Sequence, residues 1–216
     1  MPVSIPTPPK EPRTFDELFG FYHEYVKLLY SYVQTQNALP AEVLFEVNAA
    51  LDHISRRWIY GETEEQVVKK AFGHFKRSCL DVFKIAVREA RRQYDELRKL
   101  DTSAIDNGEY DRKLNVLLAE IQRGATEARR LEGNGKKDDE ESIKAFDAWQ
   151  PVFEACLRLE EEFFLHSALD WAKRRWWARY WKSALSLSVL SFVGGVLGRE
   201  FAPRIISSIT KFLSGS

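Results

Sequence analysis

Two short stretches of the sequence concentrate the side chains that could bind an anion. Residues 52–57 read DHISRR and residues 74–81 read HFKRSCLD. Guanidinium and imidazolium groups donate charge-assisted hydrogen bonds, which suits them to phosphate or nucleotide recognition. The candidates for an anionic-ligand site are the imidazole and guanidinium side chains of these stretches together with Lys70: His53, Arg56, Arg57, Lys70, His74 and Arg77.

The same residues also fit ordinary surface pairing. Asp52 with Arg56, and Arg77 with Asp81, are opposite charges four positions apart, a spacing that forms ion pairs on helix surfaces. No metal site is predicted, because no helix carries the His-x-x-x-His or Glu-x-x-His spacing of metal-binding helices. The choice between an anion site and structural pairing stays open at this stage.

No motif of a catalytic protein stands out elsewhere in the chain. The sequence has no glycine-rich phosphate loop, no Gly-x-Ser-x-Gly elbow and no paired-cysteine redox motif. Its two cysteines, Cys79 and Cys156, are predicted to be reduced core residues. A non-enzymatic protein without a cofactor is therefore expected.

The elements that would position the candidate residues are helices. Gly61 separates two patterns of helical period, and Thr63-x-x-Gln66 has the spacing of a capping box at the start of a helix predicted to reach about Leu100. In an antiparallel hairpin with its turn near Gly61, His53 lies close to residues 69–70, with His74 about one turn further along. The helix before the turn carries one apolar stripe at helical spacing: Val43, Leu44, Val47, Leu51, Ile54 and Trp58.

The remainder of the body is also predicted to be helical. Thr14-x-x-Glu17 has capping-box spacing, Asp106-Asn107-Gly108 reads as a turn, and a fourth helix is expected from about Glu109 to Leu131. Pro151 is predicted to kink or restart a fifth helical pattern that runs from about Glu141 toward Trp181. The fold class is all-α: a proline-rich arm over 1–13, then an elongated bundle of about five helices over 14–172.

The charges are distributed unevenly along the chain. Lysine plus arginine and aspartate plus glutamate each number 32 of 216 residues. Residues 101–172 nevertheless carry 17 acidic and 9 basic side chains, a net charge of −8, whereas residues 173–216 carry 8 basic and 1 acidic, a net charge of +7. Such asymmetry favours contact with a membrane or a nucleic acid.

The C-terminal segment favours the membrane. Residues 183–198, SALSLSVLSFVGGVLG, hold no charge, and 183–202 are predicted to enter the bilayer as a transmembrane segment. Residues 203–216 would form a short amphipathic tail. Ahead of the apolar run lies a collar of cations and aromatics, typical of a membrane interface: Lys173, Arg174, Arg175, Trp176, Trp177, Arg179, Tyr180, Trp181 and Lys182. The alternatives are a re-entrant pair formed with the tail, a core helix that closes the bundle, and a helix lying on the membrane surface.

Small residues recur at helical spacing along the same segment. They are predicted to form an oligomerisation face, because small side chains allow helices to approach closely in lipid: Ala184, Ser188, Ser191, Gly195 and Gly198. Simple tolerance of glycine and serine in a membrane helix is the alternative.

Residues 49–58, AALDHISRRW, and 69–84, KKAFGHFKRSCLDVFK, resemble helical domains of prokaryotic proteins. The layout, a helical bundle followed by a hydrophobic segment, resembles small membrane effectors of prokaryotic antiviral systems. The resemblance implies a cytosolic module that senses a nucleotide signal or a protein partner and a membrane part that oligomerises and breaches the bilayer.

Together these observations predict a membrane-anchored helical effector that is restrained until triggered. Its expected partners are membrane lipid and further copies of itself, with a protein or nucleotide signal as the trigger and no nucleic acid. The expected place is the inner membrane with the bundle facing the cytoplasm, or the cytoplasm before activation. A passive scaffold tethered to the inner membrane, and a soluble nucleotide-binding module with a buried C-terminal helix, are the alternatives.

Overall fold

The computed structural model describes residues 11–34, 40–103, 105–134, 139–167, 169–175, 177–178, 180–182, 184–189 and 191. The chain forms two compact units, residues 1–166 and residues 167–216. Throughout the described residues all regular structure is helical, which confirms the all-α prediction.

The first unit holds about six helices rather than five, since the first predicted helix is divided by a π-helical turn, Tyr22–Val26. The α-helices, in chain order, are α1 (Phe15–Phe21), α2 (Lys27–Gln34), α3 (Ala41–Ile59), α4 (Glu64–Leu97), α5 (Glu109–Asn134) and α6 (Asp139–Leu159). A second π-helical turn, Glu160–Phe164, continues α6. The longest of these helices is α4, with 34 residues. At a rise of about 1.5 Å per residue, a helix of that length extends roughly 50 Å.

The α3–α4 hairpin forms as predicted from local chemistry. Gly61 adopts a φ of 69°. This left-handed conformation suits glycine in the connecting turn. The Thr63 hydroxyl accepts a hydrogen bond from the Gln66 backbone N–H at 3.4 Å, and the Gln66 side chain accepts one from the Thr63 backbone N–H at 3.3 Å. This reciprocal capping box fixes the first turn of α4, which ends at Leu97 rather than near Leu100.

The turn between α4 and α5 is also as predicted. Asp106 and Asn107 have φ values of 47° and 55°. Gly108 follows with a φ of 87°. These are the residue types that tolerate a left-handed backbone best. The next helix begins directly afterwards at Glu109 and runs to Asn134, about one turn beyond its predicted end.

Of the two outcomes predicted for Pro151, a kink or a restart of the fifth helix, the restart does not occur. α6 continues through Pro151 to Leu159, and regular helix is interrupted only after the π-helical turn, at residues 165–167. The proline ring is exposed, while its neighbours Trp149, Val152 and Phe153 are buried. Burial of this face outweighs the missing N–H of a single proline.

Close contact between α5 and α6 depends on a small residue. A Cβ atom placed on Gly124 would lie 2.6 Å from the Val152 Cγ2 atom, closer than real contacts allow. Glycine therefore lets the two backbones approach, while Phe83 of α4 packs against Phe146 and Phe153 of α6 at centroid separations of 5.7 and 5.4 Å. These contacts form the centre of the core.

In the second unit, residues 169–175, 177–178, 180–182, 184–189 and 191 are helical, and Leu169 and Ala172 are buried. Within the residues that the structure describes, no helix combines the length and apolar character needed to cross a bilayer. Residues 192–216, with most of the predicted transmembrane segment and the whole tail, lie outside the described residues, as do residues 1–10 of the predicted arm.

Candidate functional site

The hairpin brings the two candidate imidazoles together. The rings of His53 on α3 and His74 on α4 lie 5.0 Å apart between centroids, inclined by 31°. Both side chains are partly buried between the helices. The centre of the predicted cluster is therefore a histidine pair, with the candidate cations around it.

A carboxylate that sequence reasoning missed lies beside this pair. Glu46 Oε2 is 2.7 Å from His74 Nδ1 and accepts a hydrogen bond from Arg77 Nε at 3.0 Å. Glu46 precedes His53 by seven residues, two helical turns on the same face of α3, and that spacing was the signal available in the sequence. Burial by itself raises the pKa of Glu46, but the hydrogen bonds from His74 and Arg77 lower it overall.

The tautomer of the His74 ring decides which of two bonds its Nδ1 atom makes. Arg77 Nη2, always a donor, lies 2.7 Å from His74 Nδ1, and Glu46 Oε2 lies at the same distance. A single ring nitrogen either carries a proton and donates to Glu46 or presents its lone pair to Arg77. Glu46, His74 and Arg77 thus form a compact triad on the α3–α4 surface.

The other candidate cations are paired as well. Arg56 contacts the Asp52 carboxylate through Nη2 at 2.9 Å, and Lys70 Nζ contacts Glu62 Oε2 at 2.8 Å. Arg57 donates to the Glu62 carbonyl at 3.2 Å. Glu62 was not a predicted site residue; it lies in the turn, where both helices can reach it.

Only one of the two expected i,i+4 pairs forms. Asp52 and Arg56 pair as the spacing predicts, whereas Arg77 turns to Glu46 on the facing helix and Asp81 pairs with Lys84 at 3.5 Å. Across the cluster the cations are largely neutralised by Glu46, Asp52 and Glu62. An anionic ligand would have to displace these carboxylates, so the geometry favours structural pairing over an open anion site.

The position of His53 opposes its protonation. Its Nδ1 atom is buried and makes no hydrogen bond within the part of the chain that the structure describes. Burial lowers the pKa of His53, and the neighbouring basic side chains of His74, Arg56 and Lys70 lower it further, against a smaller opposing effect of Asp52. The folded chain therefore favours the neutral imidazole at this position.

We expect His53 to make the protein less stable as the pH falls. The unfolded chain binds more protons than the folded chain around and below pH 6.5, so the stability gained from neutral His53 is full above that pH. It is lost as the pH falls through the lowered pKa of the folded state. Urea unfolding at about pH 7.5 and about pH 5 should show a smaller pH effect for His53→Gln than for the unaltered chain.

The matched control is His23→Gln, because His23 is exposed on the π-helical turn of the same unit. This variant should keep the full pH dependence. An identical pH dependence of the unaltered chain and His53→Gln would contradict the assignment to His53.

The two cysteines and one further cleft complete the chemistry of the described residues in the first unit. Cys79 and Cys156 are buried free thiols, and burial raises the pKa of Cys156 to about 12, which keeps it protonated and unreactive. A cleft of about 250 Å³ is lined by charges of both signs: Glu42, Asp81, Lys84, Arg88 and Arg129. Among the described residues, no group of histidine, cysteine, aspartate and glutamate side chains could hold a metal ion.

The second unit presents a different surface, which we call the collar helix: the described helical residues 169–175, 177–178, 180–182, 184–189 and 191. Its described collar cations and aromatics are exposed: Lys173, Arg174, Arg175, Trp177, Tyr180, Trp181 and Lys182. Trp176 and Arg179 lie outside the described residues. Trp171, which was not assigned to the collar from sequence, is exposed too, and the Arg175 guanidinium lies 5.2 Å from its ring centroid.

The predicted oligomerisation face is described over its first part. Ala184, Ser188 and Ser191 are helical, and Gly195 and Gly198 lie outside the described residues. The Ser188 hydroxyl donates to the Ala184 carbonyl at 2.9 Å, a local bond that competes with a bond to a neighbouring helix.

Comparison of the chain with protein-family models, with curated proteins and with solved structures yields no match.

Proposed function

We propose that this protein is a non-catalytic membrane effector that binds anionic lipid through the collar helix, inserts the apolar segment that follows, self-associates and disrupts the bilayer when triggered. The observation that carries the proposal is the exposure of large apolar side chains interleaved with cations on one helix. The exposed apolar residues are Trp171, Trp177, Tyr180, Trp181, Leu185, Leu187 and Val189.

The order of residue types along the collar helix supports entry into a membrane. The cations fall in residues 173–182, whereas residues 184–191 carry no charge on any side of the helix. A helix lying on a membrane surface has its polar and apolar residues on opposite sides, around the axis. Here the change runs along the axis, from an interfacial collar to an apolar run, as in a helix that enters lipid end-on.

The paired state of the α3–α4 cluster makes a nucleotide-binding module the weaker proposal. The layout, which resembles membrane effectors of prokaryotic antiviral systems, supports membrane disruption as the outcome and antiviral defence as the setting. Spanning of the bilayer by residues 183–202 is part of the proposal, as is the inner-membrane location.

Vesicle binding by the full-length chain tests the proposal. The protein is expected to co-sediment with vesicles made of equal parts phosphatidylglycerol and phosphatidylcholine. Trp177→Ala combined with Trp181→Ala should lower the partition coefficient about 100-fold or more, because each exposed indole contributes roughly 1.5–3 kcal/mol when it is buried in lipid and about 1.4 kcal/mol corresponds to a factor of ten. Release of a trapped dye from the same vesicles distinguishes disruption from passive tethering.

Leu165→Ala is the matched control, compared with Leu185→Ala. Both leucines are 68% exposed, but Leu165 belongs to the first unit. The Leu165 variant should bind vesicles like the unaltered chain, and the Leu185 variant should bind less. Failure of the unaltered chain to bind, or equal effects of the two leucine variants, would overturn the proposal.

A further inference from the structure

A second exposed apolar surface lies on α3, in the first unit. The predicted single stripe of this helix is in fact divided between two faces: Val43 and Ile54 are buried, whereas Leu44, Leu51 and Trp58 are exposed. We call the exposed face the α3 stripe; its members are Leu44, Phe45, Leu51, Trp58, Ile59 and the adjoining Tyr60.

The spacing of the α3 stripe is that of a helix–helix seam. Leu44, Leu51 and Trp58 recur every seven residues, and Asn48 and Ser55 lie between them, four residues after each leucine. A repeat of seven with alternating steps of four and three keeps one line of side chains facing a partner helix. A polar asparagine within such a seam fixes the register of pairing.

The exposed area is large for a surface that contacts only water. Phe45, Trp58 and Tyr60 are 73%, 70% and 74% exposed. With about 150–250 Å² for each aromatic side chain and the three aliphatic residues added, the stripe offers roughly 700 Å². That exceeds the roughly 300–600 Å² of the largest apolar patch on a typical monomer and approaches the about 800 Å² per partner of a standard interface.

One ring of the stripe is already ordered. Phe15 stacks on Trp58 at a centroid separation of 5.5 Å, so the indole loses less freedom when a partner covers it. Tryptophan and tyrosine are also the residues that most often dominate binding energy at interfaces.

The charges at the two ends of α3 indicate the partner. The first turn carries Glu42, and the last turn carries Arg56 and Arg57. When two copies of α3 pack antiparallel about Leu51, the acidic end of each lies against the basic end of the other, and Leu44 faces Trp58. Parallel packing would place like charges and like helix-dipole ends together.

We propose that the α3 stripe is the interface of a two-fold symmetric, antiparallel homodimer. The partner is a second copy of this chain, and the contact lies in the first unit, apart from the collar helix. The inference is therefore independent of membrane binding.

Sedimentation velocity of the full-length chain without lipid tests the dimer. Leu51 lies on the two-fold axis, so Leu51→Glu opposes two carboxylates at the centre of the seam and should weaken dimerisation about 100-fold or more. Val116→Glu is the control, because Val116 is 57% exposed on α5 and Leu51 is 53% exposed. Circular dichroism should show both variants folded.

Charge exchange tests the antiparallel orientation. Glu42→Arg and Arg57→Glu should each weaken dimerisation, and the double variant should regain most of the loss. A monomeric unaltered chain, equal dimerisation of Leu51→Glu and Val116→Glu, or no recovery in the double variant would overturn the proposal. The double variant Trp177→Ala with Trp181→Ala should lose membrane binding but still form the dimer. Failure of the dimer proposal can therefore be distinguished from failure of the membrane proposal.

Discussion

Replacing Lys173, Arg174, Arg175 and Lys182 together with glutamine is expected to lower partition onto anionic vesicles by about three orders of magnitude. Each cation near an anionic membrane surface contributes about 1 kcal/mol, and about 1.4 kcal/mol corresponds to a factor of ten. All four side chains are exposed, so none has to leave a buried position to reach lipid. Titration of vesicles that contain phosphatidylglycerol measures the loss directly.

The matched control removes the same number of charges from the first unit. Arg91, Arg98, Lys99 and Arg123 are exposed there, on α4, directly after it, and on α5. Their joint replacement with glutamine changes the net charge equally but should leave partition within about threefold, because the proposal assigns lipid binding to the collar cations. Equal losses in the two quadruple variants would show that only overall charge matters and would contradict a localised collar.

Salt distinguishes the two proposed contributions to vesicle binding, the attraction of the collar cations to anionic lipid and the burial of the tryptophan side chains. Attraction of the cations to anionic headgroups weakens as the ionic strength rises, whereas burial of Trp177 and Trp181 does not. The quadruple cation variant should therefore bind with little salt dependence. The double tryptophan variant should keep the salt dependence of the unaltered chain at a lower affinity.

Local chemistry made the hairpin predictable from sequence. Gly61, Thr63 and Gln66 act within a few residues of one another, and the turn at Asp106-Asn107-Gly108 depends on the left-handed conformations that these residue types tolerate. Features of this kind need no knowledge of the rest of the fold. The helix boundaries next to them were correspondingly close to the observed ones.

Features that depend on packing between helices were harder to predict from the sequence. Pro151 interrupts a helix in isolation, but the buried side chains beside it keep α6 continuous. The period of α3 identified an apolar helix without showing that α4 covers only one of its faces. Leu44 and Ile54 belong to the same stripe in the sequence, and only the position of α4 separates them.

In the candidate site, too, the sequence predicted what local geometry determines and missed what packing determines. The antiparallel geometry of the hairpin placed His53 and His74 near each other correctly in outline. It did not reveal that Glu46 would bind His74 and Arg77, because an interhelical ion pair competes with the i,i+4 pair of Arg77 with Asp81. Once a carboxylate of the facing helix is within reach, spacing within one helix no longer decides which residue pairs with Arg77.

Phe83→Ala is expected to lower the free energy of unfolding by about 3–5 kcal/mol. Phe83 is fully buried on α4, and its ring lies between Phe146 and Phe153 of α6, so truncation leaves a cavity where these helices meet. A loss of this size is a large part of the roughly 5–15 kcal/mol that stabilises a typical domain. Urea unfolding monitored by circular dichroism measures it.

Phe45→Ala makes the same chemical change as Phe83→Ala, but on the α3 stripe. Comparing the two variants distinguishes a residue of the core from a residue of the proposed interface. Because Phe45 is exposed, its truncation should change the unfolding free energy of the dilute, monomeric chain by less than about 0.5 kcal/mol. It should instead weaken dimerisation, which Phe83→Leu, a milder core change of under about 1.5 kcal/mol, should leave intact. A large loss of stability in the dilute Phe45 variant would place that ring in the core and remove it from the proposed interface.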